Sequence, residues 1–124
     1  MSYEQIMRSY YEALVQRDYE FLIKLFSQEA YIEHPIFGKI GAENFLKILL
    51  DKSKSHVIEI KNIFYTKEQE NRAATYCHVK FTTKDNTEFT ENSVHIYDFT
   101  KEGLIKTITV VIDTFPFREK YRVD

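Results

Sequence analysis

The most informative stretch of this chain runs from Tyr10 to Phe45 and reads YYEALVQRDYEFLIKLFSQEAYIEHPIFGKIGAENF. Its apolar residues first recur at steps of three and four, which is the spacing of one helix face. Arg17-Asp18 interrupts that stripe, and Asp18 is a suitable N-cap for a second helix. A short strand then ends near Pro35, because proline cannot donate a hydrogen bond to a sheet. We therefore expect two helices, a short strand, and a glycine-framed turn before a third helix.

The flanking sequence extends this pattern and then changes its period to two. Ser2 can cap the first helix, and residues 42–54 read as the third. Four strand-like segments follow, at 56–66, 72–83, 87–99 and 103–115. Because helices come first and strands later, the order predicts an α+β fold: a curved antiparallel sheet wrapped round three N-terminal helices. Such a cone-shaped barrel has an open mouth, which is a natural small-molecule pocket.

Composition indicates one domain, spanning residues 1–124. The chain is 44% hydrophobic, which is too apolar for a disordered segment. The formal net charge is -2 and no Lys/Arg block occurs, so we expect no nucleic-acid partner. The single cysteine, Cys77, cannot form an internal disulfide, which favours a cytoplasmic location. No apolar run is long enough to span a bilayer, so no membrane partner is expected, and the tail 118–124 is expected to fray or dock on a partner.

The stretch from Tyr10 to Phe45 resembles the opening of nuclear transport factor 2-like proteins, with SnoaL-like polyketide cyclases and ketosteroid isomerase-like proteins as the nearest relatives. The residues that carry the pattern are Tyr10, Ala13-Leu14, Arg17-Asp18, Leu25-Phe26, Glu29-Ala30, Glu33-His34-Pro35 and Gly41. The later strands fit in number and spacing. The resemblance implies a cone of cystatin-like architecture, a small apolar ligand inside it, no cofactor, and a homodimer through the sheet. It leaves the activity open, since this superfamily hosts isomerases, cyclases, hydrolases, dehydratases and binding modules.

The resemblance also implies three catalytic residues. Tyr10 stands where the isomerases have an oxyanion-donating tyrosine, His34 where they have a general-base aspartate, and His95 near a second oxyanion donor. Imidazole has an ordinary pKa of about 6.5, so His34 could act as a base with little tuning. The histidines and Glu91 lack a local metal-ligand spacing, so no metal site is predicted. The expected ligand-binding residues are Ile32, Phe37, Phe45, Glu91, Tyr97, Phe99, Val110 and Ile112.

The hairpin between 72–83 and 88–99 has two plausible registers. With the two-residue loop Asp85-Asn86, Lys80 opposes Glu91 and Tyr76 opposes His95. With a three-residue loop, apolar residues line the His95 side instead, namely Cys77, Val79 and Phe81. The Lys80–Glu91 pair slightly favours the first register, and a slip of one residue exchanges the two faces. On the last strand, the resemblance implies that one face lies against a dimer partner, namely that of Thr107, Thr109, Val111 and Asp113.

Two classes of function remain open on the sequence. The first is a cofactor-free enzyme that moves a proton on a small apolar carbonyl compound, as isomerases, cyclases and dehydratases do. The second is a non-catalytic binding or accessory module with the same pocket, which the histidine at position 34 favours somewhat. A dimeric scaffold with a filled cone is a third alternative.

Overall fold

A computed structural model describes residues 1–68 and 70–120 of the chain. Over these ranges it comprises α1 (Tyr3–Gln16), α2 (Tyr19–Lys24), β1 (Phe26–His34), β2 (Gly38–Gly41), α3 (Ala42–Lys52), β3 (Ser53–Tyr65), β4 (Arg72–Thr83), β5 (Glu88–Phe99), β6 (Ile105–Ile112) and α4 (Phe115–Lys120). The expected α+β fold, with a curved sheet round N-terminal helices, is confirmed. Of the tail predicted to fray or dock, residues 118–120 belong to α4, and residues 121–124 lie outside the described residues.

The six strands form one sheet in the order β2-β1-β6-β5-β4-β3. All neighbouring pairs are antiparallel except β1 and β6, which are parallel and place Ile32 opposite Ile108. The sequence led us to expect a purely antiparallel sheet. The difference arises because α3 and three long strands separate β1 from β6, and so long a crossover lets the last strand return in the same direction.

The end of α1 is fixed to the end of α3 by Arg17. This residue has a φ of 59°, in the left-handed region that helix C-caps often adopt. Its guanidinium donates to the carbonyl oxygens of Leu50 and Ser53 and to the Ser53 hydroxyl. At its other end α1 begins with a capping box, in which Ser2 and Gln5 exchange side-chain-to-backbone hydrogen bonds of 3.1 and 2.8 Å. These bonds position the helix that carries Tyr10.

Several boundaries differ from the sequence prediction, and β1 begins at Phe26, earlier than the expected short strand. α2 ends at Lys24, earlier than its apolar pattern suggests, because Leu25 accepts a backbone hydrogen bond of 2.8 Å from Ile105 and β1 starts at the next residue. Tertiary pairing here overrides local helix propensity. The last strand stops at Ile112 rather than near residue 115. The short strand β2 and the helix α4 were not predicted.

The β4–β5 hairpin adopts the register with the three-residue loop. Thr83 donates its N–H to the Thr87 carbonyl across 2.9 Å, and Asn86 takes a φ of 66° between them. Val79 therefore opposes Glu91, so the favoured Lys80–Glu91 register is wrong. Lys80 lies on the outer face and pairs instead with Glu88 at 3.4 Å. The rings of Phe81 and Phe89 stack across the observed register, with centroids 5.1 Å apart, and this packing favours it over an exposed ion pair.

The packed core fills one end of the cone and leaves the other end hollow. Its fully buried side chains include Ile6, Met7, Leu22, Ile32, Leu46, Tyr97, Ile105 and Ile108. Within the described part of the chain, no helix is both long and apolar enough to cross a bilayer.

Candidate functional site

The inner face of the sheet, together with α1, α3 and α4, encloses a cavity of about 700 Å³. A volume of this size is typical of sites for drug-sized molecules. Most of the lining is apolar, with Phe37 and Phe45 on one side and Phe81 and Phe89 on another. The titratable side chains that line it are Tyr10, Tyr11, His34, Lys52, His56, Glu91, His95 and Arg118. The cavity therefore combines an apolar body with a small number of titratable groups.

Most of the residues selected from the sequence line this cavity. They are Tyr10, Ile32, His34, Phe37, Phe45, Glu91, His95, Val110 and Ile112. Tyr97 and Phe99 do not line it, so their predicted ligand-binding role is not supported. Both share the inner face of β5 with His95 but lie deeper, where Tyr97 is fully buried and Phe99 stacks on Tyr3 with ring centroids 4.1 Å apart. Strand parity correctly placed Tyr97 and Phe99 on the inner face of the sheet. It could not show where along the strand the packed core ends and the cavity begins.

Tyr10 presents a protonated hydroxyl to the cavity. α1 carries it, and its ring packs edge-on against Phe26 and Tyr97. Its hydroxyl forms no hydrogen bond with any residue that the structure describes. Burial raises the pKa of Tyr10 well above its ordinary value, so the group stays protonated at neutral pH. A buried phenol of this kind can donate to an oxygen that gains negative charge.

His34 is held by the turn that follows β1. The backbone N–H of Ile36 donates to its Nδ1 across 3.1 Å, and the ring lies near Phe37 and Phe45, at centroid distances of 4.9 and 5.7 Å. Burial lowers the pKa of His34 to about 4, so the ring is neutral at pH 7. Because Nδ1 accepts a hydrogen bond, the neutral ring carries its hydrogen on Nε2. This makes His34 a donor, whereas the sequence suggested a base.

His95 is fixed by a buried hydrogen-bond network centred on Tyr11. The Tyr11 hydroxyl lies 2.6 Å from His95 Nδ1 and 2.5 Å from Thr75 Oγ1, and it accepts a 2.6 Å hydrogen bond from Tyr97. Burial, aided by the nearby His34, lowers the pKa of His95 to about 4. When His95 Nδ1 donates to Tyr11, Tyr11 donates to Thr75 and His95 Nε2 keeps a free lone pair. In the other tautomer Tyr11 donates to His95, and Nε2 carries the hydrogen.

The two histidines lie at the same level of the sheet. Val110 of β6 pairs with His95, and the preceding Thr109 pairs with Glu33 on the opposite side. His34 and His95 therefore flank Val110, with Cα atoms about 10 Å apart across two strand spacings. Imidazoles on the concave face of a curved sheet converge, so both rings address one section of the cavity.

A second group of polar atoms lies further along the cavity. Glu91 Oε2 and His56 Nδ1 are sealed from solvent, and neither has a hydrogen-bond partner among the described residues. Burial raises the pKa of Glu91 to about 7. Burial lowers the pKa of His56 to about 4, and the charge of Arg17 contributes to this shift. Across residues 1–68 and 70–120, no group of three His, Cys, Asp or Glu side chains is arranged to hold a metal ion.

Sequence reasoning missed Tyr11 and His56. Tyr11 lies four residues after Met7 and three before Leu14, so helical spacing placed it beside the apolar stripe. His56, Ile58 and Ile60 occupy every second position of β3, so all three lie on the inner face of the sheet. Both signals were present, but neither pattern shows which inner-face residues reach the hollow end of the cone.

Comparisons with known proteins give a clear result for the fold. No protein-family model and no curated protein match this chain. Among solved structures, an NTF2-like protein of unknown function from Burkholderia pseudomallei superposes with a TM-score of 0.80 at 18% identity, covering 99% of this chain and 100% of that one. The chain has the NTF2-like fold.

Two further NTF2-like structures have names that refer to cyclases. A SnoaL-like protein from Shewanella putrefaciens has a TM-score of 0.77 at 12% identity, and the match covers 96% of each chain. The epoxide hydrolase/cyclase-like enzyme SalBIII, which acts in pyran ring formation in the polyether salinomycin, has a TM-score of 0.76 at 18% identity and 90% coverage of each chain. At these identities the likeness extends to the NTF2-like fold, including the cone that forms the cavity.

Proposed function

We propose that the protein binds a small, apolar, uncharged carbonyl compound in the cavity and moves a proton on it without a cofactor. The observation that carries this proposal is the convergence of Tyr10, His34 and His95 on one apolar cavity of about 700 Å³. Isomerisation, cyclisation and dehydration all require such a step. The likeness to SalBIII, an epoxide hydrolase/cyclase-like enzyme of the same fold, supports an enzymatic use of the cavity.

The hydrogen bonds support a division of roles that differs from the sequence expectation. Tyr10 and His34 Nε2 donate hydrogen bonds to the substrate oxygen and stabilise the charge that it gains as an enolate. His95 Nε2, in the tautomer whose Nδ1 donates to Tyr11, takes a proton from one carbon and returns it to another. The proton count balances, since His95 ends as it began. His34 and His95 thus exchange the roles of proton mover and oxygen-polarising group.

The proposal is tested by hydrogen–deuterium exchange on a model ketone. We expect the wild-type protein to accelerate exchange of the α-protons of 2-tetralone in D₂O, followed by proton NMR. Tyr10→Phe should slow this exchange by about 100-fold, the usual loss for one oxyanion donor. Tyr31→Phe, on the outer face of β1, is the matched control and should keep the full rate. The absence of catalysed exchange between pH 4 and 9 would refute the enzyme, and an unchanged rate in Tyr10→Phe would refute the donor role of Tyr10.

A non-catalytic ligand-binding module is the second candidate. The pKa values of about 4 for His34 and His95 favour it, because they make both rings weak bases at neutral pH. Such a module would be stabilised by 2-tetralone in a thermal-shift titration and would still show no exchange at any pH. The pair of measurements separates the two candidates.

We also propose that the protein is a homodimer that associates through the outer face of its sheet. A contiguous apolar patch on this face supports that assembly, and it consists of Tyr76, Val94, Ile96 and the 52%-exposed Val111. Thr107, which was expected to face the partner, is instead buried and donates to Asp98 across 2.8 Å. The free, buried Cys77 supports a cytoplasmic location. The absence of a nucleic-acid partner stays a prediction.

A further inference from the structure

We propose that Glu91 forms a second polar subsite, at the end of the cavity towards which His56 also lies, and that this carboxyl group receives a hydroxyl group at the far end of an elongated ligand. The first polar subsite, at Tyr10, His34 and His95, receives the carbonyl oxygen. The ligand is therefore an apolar molecule with one oxygen at each end. This inference deepens the proposed function and rests on it, since both concern the same cavity.

Two unpartnered polar atoms are the main evidence for the second subsite. Glu91 Oε2 and His56 Nδ1 both belong to residues that line the cavity, and both lack a hydrogen bond to any residue in 1–68 or 70–120. Buried polar atoms without partners are rare and cost free energy, so each one needs an explanation. A ligand hydroxyl that hydrogen-bonds to Glu91 Oε2 in the occupied cavity supplies this explanation for the carboxyl group.

Glu91 is not accounted for by an ion pair. Lys80, its expected partner, points to the opposite face of the sheet and binds Glu88. Among the described residues, no lysine or arginine lies within ion-pair distance of Glu91. Its nearest cross-strand neighbour is the apolar Val79. The carboxyl group is therefore available to a ligand, and its pKa of about 7 reflects the apolar surroundings.

The register of the strands separates the two subsites. Glu91 and His95 lie four residues apart on the same face of β5, which corresponds to about 13 Å along an extended strand. Val79 pairs with Glu91 on one side and with Ile58 on the other, and His56 is two residues from Ile58 on the same face of β3. Glu91 and His56 therefore lie towards the same end of the cavity, away from His95. A ligand that reaches both subsites spans roughly 10 Å or more.

The charges around the cavity favour a neutral hydroxyl at this subsite over a cationic amine. The titratable and charged side chains that share the cavity with Glu91 are Tyr10 and Tyr11 of α1, His34 of β1, Lys52 of α3, His56 of β3, His95 of β5 and Arg118 of α4. Lys52 and Arg118 are cations and would repel an ammonium group. A hydroxyl can donate to Glu91 Oε2 and keeps lone pairs that can accept from a neighbouring donor.

The test compares two fluorescent ligands that differ in one terminal hydroxyl, 4,4′-dihydroxystilbene and 4-hydroxystilbene. Fluorescence titration of the wild-type protein should show at least tenfold tighter binding of the diol. Glu91→Leu should abolish this preference, so that it binds the two compounds with affinities within threefold of each other. Glu88→Gln, on the outer face of the same strand, is the control and should keep the preference.

Each outcome of this titration decides the inference. Equal binding of both stilbenes by the wild-type protein overturns the second subsite and leaves the proposed function standing. Binding of neither compound overturns the elongated ligand, and exchange on 2-tetralone then decides the proposed function separately. A preference that survives in Glu91→Leu overturns the assignment to Glu91. If circular dichroism shows that Glu91→Leu is unfolded, Glu91→Gln replaces it, and the preference should then fall by at least threefold; an undiminished preference overturns the assignment.

Discussion

The backbone N–H of Ile36 donates to Nδ1 of His34 across 3.1 Å, so the side chain of the histidine closes the turn that ends β1. Pro35 lies between them and has no N–H to offer, which leaves the Ile36 N–H as the donor of this turn. The bond selects the neutral tautomer with hydrogen on Nε2. This one hydrogen bond thus ends the strand and leaves the Nε2–H of His34 free to donate to a ligand in the cavity.

Two substitutions at His34 separate these structural and chemical contributions. His34→Asn keeps an acceptor for the Ile36 N–H, because asparagine forms the same kind of turn. His34→Ala removes the acceptor and should lower the free energy of unfolding by about 1 kcal/mol relative to His34→Asn. Urea unfolding measures this difference. Both variants should lose exchange activity on 2-tetralone; full activity in His34→Asn would contradict a donor role for the imidazole.

The contacts and the backbone conformation of Arg17 predict an unusual order of stability among variants at this position. Arg17→Ala loses the hydrogen bonds to Leu50 and Ser53 and keeps the strained left-handed backbone, so it should be destabilised by about 2–3 kcal/mol. Arg17→Gly loses the same bonds but relieves the strain, which should restore about 1 kcal/mol. Urea unfolding should therefore rank wild type above Gly and Gly above Ala. The reverse ranking of the two variants would show that the backbone at position 17 is unstrained.

The buried histidines make stability depend on pH in a defined window. Burial lowers the pKa of His56 to about 4, from about 6.5 in the unfolded chain, so between these values the unfolded state binds more protons. Stability is present above pH 6.5 and is lost as the pH falls towards 4. For one such ring the loss at pH 5 is about 2 kcal/mol. His56→Leu should reduce the stability difference between pH 7 and pH 5 by about that amount, measured by urea unfolding.

The control for this pH experiment is His78→Gln. His78 lies on the outer face of β4 and bonds to Asn92 across 2.9 Å, so this variant removes one histidine without altering the cavity. Glu91 acts in the opposite direction, because its raised pKa lowers stability as the pH rises from about 4.5 to 7. Glu91 is present in both variants, so its contribution to the pH dependence of stability cancels when the two are compared. An equal effect of the two substitutions would contradict the assignment to His56.

The proposed dimer depends on Val111. Val111→Glu places a charge in the apolar patch of the outer face and should shift a wild-type dimer to monomer in analytical ultracentrifugation. Val57→Glu is the matched control, since Val57 is also exposed on this face but lies opposite Lys80 on the edge strand β3. It should leave the assembly intact. A monomeric wild-type protein at micromolar concentration would refute the dimer.

Most of the fold could be predicted from the sequence, because the local signals in the sequence agree with each other. The apolar stripe of α1, the cap at Asp18, and the alternation in β3 to β6 all point to one arrangement. The errors lie where distant residues decide. α2 ends early because Leu25 pairs with Ile105, and β1 joins β6 in parallel because of a crossover that no local pattern encodes.

The candidate site was predictable as a set of residues and not as a set of roles. Position within the pattern placed His34 and His95 at the cavity. Their hydrogen bonds, which determine whether each ring donates or accepts, depend on Ile36 and Tyr11. The hairpin register was also missed, since an apparent Lys80–Glu91 pair is worth less than the stacking of Phe81 on Phe89. Side-chain geometry of this kind is not encoded in residue spacing.

The parallel pairing of β1 with β6 has a consequence for how the protein matures. Ile32 leaves the ribosome long before Ile108, and the helices and β3 to β5 are made in the interval. Until β6 docks, the early half of the chain exposes a bare strand edge and the hollow lacks one wall. A nascent chain halted before residue 105 should therefore remain open to proteases and chaperones, and competence to hold a ligand should arise only after β6 has been synthesised.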